Sequence, residues 1–315
     1  MRALLRRQTD ESRDVGRSLS YLWASEGAIY QHVGYGTGTL AAVFEIDRQH
    51  TAFVRPVEPT GRMRLVDREE ALKVLPGIYD RVRPTRPGMV SQPDVWWEEI
   101  YRHSEHHRQG AGPLFFAVHE SPEGADGYVA YRVKDDWTDG VPDQTLKMQE
   151  LVAATDDAYA ELWRYCFNVD LVRHVKGWKR PADEPLLHML AEPRALRFQV
   201  RDGAWLRIID LPAALEARRF AVDGMLRLDV RDEFCPWNEG RWVLQGGPDG
   251  ASCRRSDGEP DLILGTEELA SMYLGAVRPS VLARAGRIEE RTDGAIQRAD
   301  AMFDADVAPW CPHVF

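Results

Sequence analysis

Cysteine is scarce in this chain of 315 residues: Cys166, Cys235, Cys253 and Cys311 are all there is, and no two stand at the spacing of a zinc site or a disulfide framework. Reduced, packed thiols are expected. Long apolar runs are also missing, and the opening Met1-Arg2-Ala3-Leu4-Leu5-Arg6-Arg7-Gln8 has no signal-peptide core, so no membrane is expected as a partner and the cytoplasm is the default compartment. Positive charge is in deficit, with 40 Lys and Arg against 50 Asp and Glu and a formal net charge of −10. That argues against nucleic acid and for small cationic molecules or basic peptides. Neither a Ser-His-Asp set nor an HExxH pattern occurs.

What is present belongs to a globular protein: 44% hydrophobic and 29% charged residues, in a chain long enough for two or three domains. One stretch invites a phosphate reading, the run Gly34-Tyr35-Gly36-Thr37-Gly38. A phosphate loop places its glycines between a strand and the start of a helix, where free N–H groups meet the anion. Here the order is reversed. Leu19–Trp23 reads as a strand, Ser25–Val33 as a short helix capped by Ser25, and Thr39–Ile46 as a second strand, so the glycines end a helix, with Gly34 left-handed.

Further along, helical patterns are expected at Asp67–Val82, Pro93–His106 and Asp156–Phe167, and strands at Leu114–His119, Gly127–Val133 and Thr145–Ala153, an α/β texture. From Ala195 the texture is that of a small α+β domain. Strands are expected at Leu196–Val200, Trp205–Ile209, Met225–Val230, Arg241–Gln245 and Leu262–Leu264, and helices at Pro212–Arg218, Thr266–Leu274, Pro279–Ala285 and Ala295–Phe303. The last residues, "PWCPHVF", would waste apolar surface as a frayed end, so Trp310 and Phe315 are expected to dock.

Tyr30-x-x-x-Gly34-Tyr35, preceded by Ala28-Ile29, resembles the helix-to-strand signature of the GNAT superfamily of acetyl-CoA-dependent N-acetyltransferases. Together with "VWWEE", "WLRIIDLPAALEAR", "FCPWNEGRW", "LGTEELASMYLGAVRPSVLA" and "PWCPHVF", it makes the whole chain look like the Eis (enhanced intracellular survival) family. The resemblance implies the C-terminal part of a catalytic GNAT domain at residues 1–50 and a GNAT-like domain without a cofactor site at 51–195. It further implies a sterol-carrier-protein-like domain at 196–302, a tail at 303–315 returning to the active site, and a homohexamer. By the same resemblance Tyr30 is the general acid and the terminal carboxylate of Phe315 the general base. Arg2, Ser25 and Glu26 are the positions matched near acetyl-CoA, and the acceptor is a primary amine on an aminoglycoside-like compound, a polyamine or a lysine side chain. The chemistry suits the groups: a phenol of ordinary pKa about 10 can donate to a leaving thiolate, and a terminal carboxylate of about 3.5 can accept from an ammonium.

Matching starts inside the family pattern, so roughly a hundred family residues, the size of a small domain, are expected to be lacking ahead of Met1, among them the arginine- and glycine-rich pyrophosphate turn. With Arg2 alone, residues 1–315 are expected to bind acetyl-CoA weakly, and Leu19–Trp23 to be left as an unpaired strand edge. The alternative reading is a catalytically inactive remnant that binds or scaffolds through its sterol-carrier-like domain. No metal is expected: His103-x-x-His106-His107 beside Glu99 has helical ligand spacing but wholly polar surroundings. Trp96, Trp97, Trp237 and Trp242 read as core or subunit-contact residues, with Trp237 the candidate for a subunit contact.

Overall fold

A computed structural model describes residues 2–102, 108 and 110–315. In chain order the first segment holds α1 (Arg2–Asp14), β1 (Leu19–Trp23), α2 (Gly27–Gln31), β2 (Tyr35–Thr37) and β3 (Leu40–Asp47). Next come β4 (Arg62–Val66), α3 (Arg68–Val82), α4 (Asp94–Ile100), β5 (Leu114–Ser121), β6 (Gly124–Lys134), the small hairpin β7 (Trp137–Thr138) and β8 (Val141–Pro142), β9 (Gln144–Ala153), α5 (Asp156–Asn168), β10 (Val172–Pro181) and α6 (Leu186–Met189). The remainder is β11 (Gln199–Asp202), β12 (Ala204–Ile208), α7 (Leu211–Glu216), β13 (Gly224–Arg231), β14 (Gly240–Gly247), β15 (Gly250–Arg255), β16 (Leu262–Gly265), α8 (Thr266–Tyr273), α9 (Pro279–Arg284), β17 (Ile288–Glu290) and α10 (Ala295–Phe303). The class is α/β with an α+β C-terminal part. No described helix is long and apolar enough to cross a membrane.

The chain divides into two compact units, Met1–Leu40 with Asp202–Phe315, and Ala41–Arg201. The second is built on a seven-stranded sheet in the order β11-β3-β10-β9-β6-β5-β4, with β10 and β9 parallel. α5 lays Leu162, Trp163, Cys166 and Phe167 against Phe44, Ile46, Leu146, Met148 and Val175 of that sheet. Each such buried side chain contributes about 1.5–3 kcal/mol. Thr155 starts α5 by accepting from the Ala158 N–H, and Asp156 and Asp157 fill its first turn, which suits the positive end of the helix. A pyrophosphate would meet two carboxylates there.

The first unit combines a three-stranded sheet, β1-β12-β2, with a five-stranded sheet, β15-β14-β13-β16-β17. α7 begins as its sequence suggests, with Asp210 accepting from the Ala213 N–H and Pro212 in the first turn. All four cysteines are free and buried, and burial pushes Cys166 and Cys253 up to about 12 and Cys235 to about 11, so they stay thiols.

Several expectations need correction. The strand at Thr39–Ile46 exists as β3 and pairs with β10 in the seven-stranded sheet, and the division between compact units falls at Leu40/Ala41. Leu196 lies in a turn of 3-10 helix, Pro193–Leu196, and the strand after it begins only at Gln199. α2 starts at Gly27 with Glu26 in the capping position and no side-chain cap, so Ser25 is not the cap. β2, β4, β7, β8, β10, β15 and β17 are not among the expected strands. In β10 the reason is composition: Val172, Val175, Gly177, Arg180 and Pro181 are the buried positions, and Arg173, Lys176 and Lys179 between them mask the alternation. Of the helix expected at Pro93–His106, α4 covers only Asp94–Ile100; His103, His106 and His107 lie outside the described residues, and Glu99 pairs with Arg102 at 3.0 Å.

Candidate active site

The site is laid out by register in the β1-β12-β2 sheet. Ser20 pairs with Arg207 and Arg207 with Tyr35, while Leu22 pairs with Trp205 and Trp205 with Thr37. Alternation therefore sends these side chains to one face, where α1 adds Leu5, α2 adds Tyr30 and the turn after α2 adds Val33. Leu19, Tyr21, Leu206 and Ile208 go to the other face and pack on the core of the five-stranded sheet. Among the described residues β1 is paired on one side only, by β12.

The glycine run now has a structural reason. Gly34 has φ +81°, and a Cβ there would lie 2.7 Å from the Arg207 guanidinium, so conformation and space both demand glycine. A Cβ on Gly36 would run into the Glu267 carbonyl and the Ser271 hydroxyl, because α8 crosses β2 at that point. Close packing of backbone against an arginine and a helix, not phosphate binding, fixes this sequence.

Arg207 is fully buried and reaches both oxygens of Asp232 at 2.6 and 2.8 Å, and it donates to the Gly34 carbonyl at 3.5 Å. Asp232 also accepts from the Cys235 N–H at 2.8 Å and from Asn238 Nδ2 at 3.0 Å. Asn238 Oδ1 in turn accepts from the Leu211 N–H at 3.0 Å, at the start of α7. This network explains most of "FCPWNEGRW", whose Trp237 and Trp242 read from the sequence as core or subunit-contact residues. Trp237 is spent internally: its indole N–H donates to the Ile209 carbonyl at 2.7 Å and Arg13 lies 4.4 Å from its ring centroid. Trp242 is core, with its N–H on the Asn238 carbonyl at 2.8 Å. The signal available in the sequence was Arg207 itself, one charge inside the apolar run "AWLRIID".

Tyr30 sits near the end of α2, half-buried, with its ring edge-on to Tyr35 at 5.6 Å. Tyr35 is buried and shares a 2.7 Å hydrogen bond with Ser20; burial raises its pKa and keeps it a neutral partner. Tyr35 and Ser20 thus brace the Tyr30 ring, a role that sequence reasoning missed.

At the other end of the chain Trp310, Cys311, Pro312 and His313 are buried, and the Cys311 thiol donates to the His313 carbonyl at 3.3 Å. The dock holds for Trp310 but differs for Phe315, which is 44% exposed and leans on Tyr21 with ring centroids 5.7 Å apart. The aromatic anchor of the tail is therefore Trp310, and the last residue is left accessible. Tyr30 packs on one face of β1, and the Phe315 ring lies against Tyr21, whose side chain is on the other face, so the two proposed catalytic residues are placed on opposite faces of this strand.

Two cavities flank α2. One of about 390 Å³ is lined by Arg2, Leu5, Ala28, Ile29, His32 and Val33, which puts Arg2 beside the helix of Tyr30. Ser25 and Glu26 are exposed at the start of that helix. The other cavity, about 470 Å³, begins at Gln31, His32 and Gly34 and is acidic: Asp232, Glu233, Glu267, Glu268 and Glu289 against Arg231 and Arg287. Asp232 and Glu268 are committed to Arg207 and Arg287. Burial raises the pKa of Glu267, which lies on the α8 side. No metal-ligand cluster occurs among the described residues.

The acetyltransferase (GNAT) domain family matches residues 88–208, and the sterol carrier protein domain family matches 211–312. An uncharacterized N-acetyltransferase of Streptomyces avermitilis is 39% identical over 317 residues, 99% of this chain and 77% of the relative. N-acetyltransferase Eis of Mycobacterium tuberculosis is 35% identical over 302 residues, 93% of this chain and 71% of that protein. The crystal structure of Eis1 from Mycobacterium abscessus superposes with a TM-score of 0.84 at 32% identity, covering 99% of this chain and 77% of that one.

The chain belongs to the Eis family of N-acetyltransferases.

An Eis-type enzyme is an acyltransferase, so the scaffold alternative is not favoured. The GNAT match takes in β5, β6, β9, β10 and β11 of the seven-stranded sheet and runs on through β12, whereas Tyr30 lies ahead of it, in the segment Met1–Leu40 of the first unit. The Eis architecture therefore places the matched acetyltransferase domain and the tyrosine signature in different parts of the chain.

Proposed function

We propose that the protein transfers the acetyl group of acetyl-CoA to a primary amine of a small cationic acceptor, an aminoglycoside-like compound, a polyamine or a lysine side chain. The observation that carries this reading is the bracing of Tyr30 by Tyr35 and Ser20; Tyr30 itself lines neither cavity, and the acidic one begins at the next residue, Gln31. Carboxylates facing that cavity favour a polyammonium acceptor, and Arg2, Ser25 and Glu26 face the acetyl-CoA side. In the reaction the neutral amine attacks the acetyl carbon, the C–S bond breaks, Tyr30 gives its proton to the departing thiolate, and the Phe315 carboxylate takes the proton lost by the ammonium. Buried Trp310 fixes where the tail emerges, and its last residue, Phe315, reaches Tyr21. Residues 51–195 are read as a GNAT-like body without a cofactor site, residues 196–302 as the sterol-carrier-like part and 303–315 as the returning tail.

A C-terminal hexahistidine tag converts the Phe315 carboxylate to a neutral amide and carries the new carboxylate away. Activity should fall about 10²-fold, the scale of a misplaced group, while the same tag at the N-terminus leaves it unchanged. Steady-state rates with circular dichroism as a folding check decide this; full activity with the C-terminal tag would remove Phe315 from the mechanism. The same reading includes a homohexamer. Multi-angle light scattering should return six subunits per particle, and a stable monomer would contradict it.

A further inference from the structure

The second unit contains a charge distribution opposite to that of the whole protein. A cavity of about 730 Å³ lies there, lined among the described residues by Arg108, Arg132, Lys147, Lys176, Lys179 and Arg197 and by one carboxylate, Glu45, which pairs with Lys176 at 2.9 Å. The chain as a whole carries −10. Concentrating like charges around one concavity is unfavourable unless an anion offsets them.

Strand geometry says that this concentration is built. Leu146, Met148, Phe44 and Val175 point to the α5 side of the sheet, so Lys147, Lys176 and Glu45, which alternate with them, share the opposite face. Register sets Arg132 beside Lys147, Lys147 beside Lys176 and Lys176 beside Glu45 across four neighbouring strands. Arg132 is only 9% exposed and donates to the Gly112 carbonyl at 3.2 Å, which fixes its guanidinium.

Backbone strain is the second, independent observation. Four non-glycine residues of the described chain have positive φ, and two of them, Lys179 at +56° and Arg197 at +45°, line this cavity. Left-handed conformations of L-residues cost free energy that glycine avoids, and they collect where function holds them. Trp178 and Lys179 also fall in the bulge where the β10–β3 register shifts between Gly177 and Arg180, a device that re-aims side chains. The result is a half-exposed Trp178 ring at the cavity with Lys179 Nζ 4.8 Å from its centroid.

The geometry points to a binding site for a nucleoside polyphosphate in this cavity, with Arg132, Lys147, Lys176 and Arg197 taking the phosphates and Trp178 stacking on the base. Arginine and lysine side chains supply charge-assisted hydrogen bonds to phosphate oxygens, and an indole face accepts any base. The volume is that of a small-molecule site. The inference is independent of the acetyl-transfer reading, and the test below measures binding alone.

Isothermal titration of the whole protein with ATP, 3′-phospho-ADP, tripolyphosphate and adenosine tests it. The two nucleotides should bind and weaken as salt is raised; adenosine should not bind, and tripolyphosphate should bind less tightly than ATP. A preference for 3′-phospho-ADP, the nucleotide part of coenzyme A, or for ATP identifies the source. Lys147→Glu and Arg197→Gly should each weaken nucleotide binding about tenfold or more. Arg197→Gly should do so with an unfolding midpoint unchanged or raised, because glycine accepts the left-handed conformation. Trp178→Ala should weaken ATP about tenfold and leave tripolyphosphate unaffected. The proposal is overturned if neither nucleotide binds at millimolar concentration, if these variants bind like the wild type, or if tripolyphosphate binds as tightly as ATP.

Discussion

Arg207→Met should destabilise the first compact unit by about 3–5 kcal/mol, the cost of stranding one charge of a buried pair. Asp232, 4% exposed, would keep the Cys235 N–H and Asn238 Nδ2 but lose the cation that neutralises it. The Gly34 carbonyl would lose a donor too, at the turn that ends the Tyr30 helix. Removing both charges, Arg207→Met with Asp232→Asn, should recover most of the loss, because a neutral buried pair carries no uncompensated charge. Urea unfolding monitored by near-ultraviolet circular dichroism reads the difference. A loss below about 1 kcal/mol in the single variant, the scale of an exposed ion pair, would show that the network does not hold this turn.

Tyr30→Phe should lower kcat by about 10²-fold and leave KM nearly unchanged, as expected when a proton donor is removed from a transition state without altering ground-state contacts. The substitution keeps the ring and with it the 5.6 Å edge-on contact to Tyr35, so folding is not at stake. Tyr35→Phe makes a useful comparison. It removes the 2.7 Å bond to Ser20 and loosens the brace, so its effect should be smaller and should include stability. Equal kcat in wild type and Tyr30→Phe would take Tyr30 out of the chemistry.

Much of the fold could be read from the sequence wherever local signals agreed with the tertiary result. Thr155 before α5, Asp67 before α3 and Asp210-Leu211-Pro212 at α7 are caps and first turns that act over a few residues, and each lies where its chemistry suggests. The order of helix, glycines and strand around a left-handed Gly34 is the one the sequence indicates. What was not legible depends on partners far apart in sequence. β3 follows β2 within three residues yet pairs with β10, about 130 residues on, and no property of "LAAVFEID" announces that choice. Arg207, Asp232 and Asn238 likewise make sense only together. Singly, "FCPWNEGRW" resembles an exposed aromatic loop, and only the structure turns its Trp237 and Asn238 inward. The basic cavity was hidden by averaging: a net charge of −10 describes the whole chain and says nothing about one cavity that six cations line.

Mass spectrometry of the acceptor after incubation of the protein with acetyl-CoA is the most direct test of the central claim. Tobramycin and spermidine should each gain acetyl groups in step with the release of free CoA thiol, glucose should gain none, and the Tyr30→Phe protein should produce the same products far more slowly. Unmodified amines after prolonged incubation, in a preparation shown to be folded, would contradict the assignment of acetyl transfer to a cationic amine.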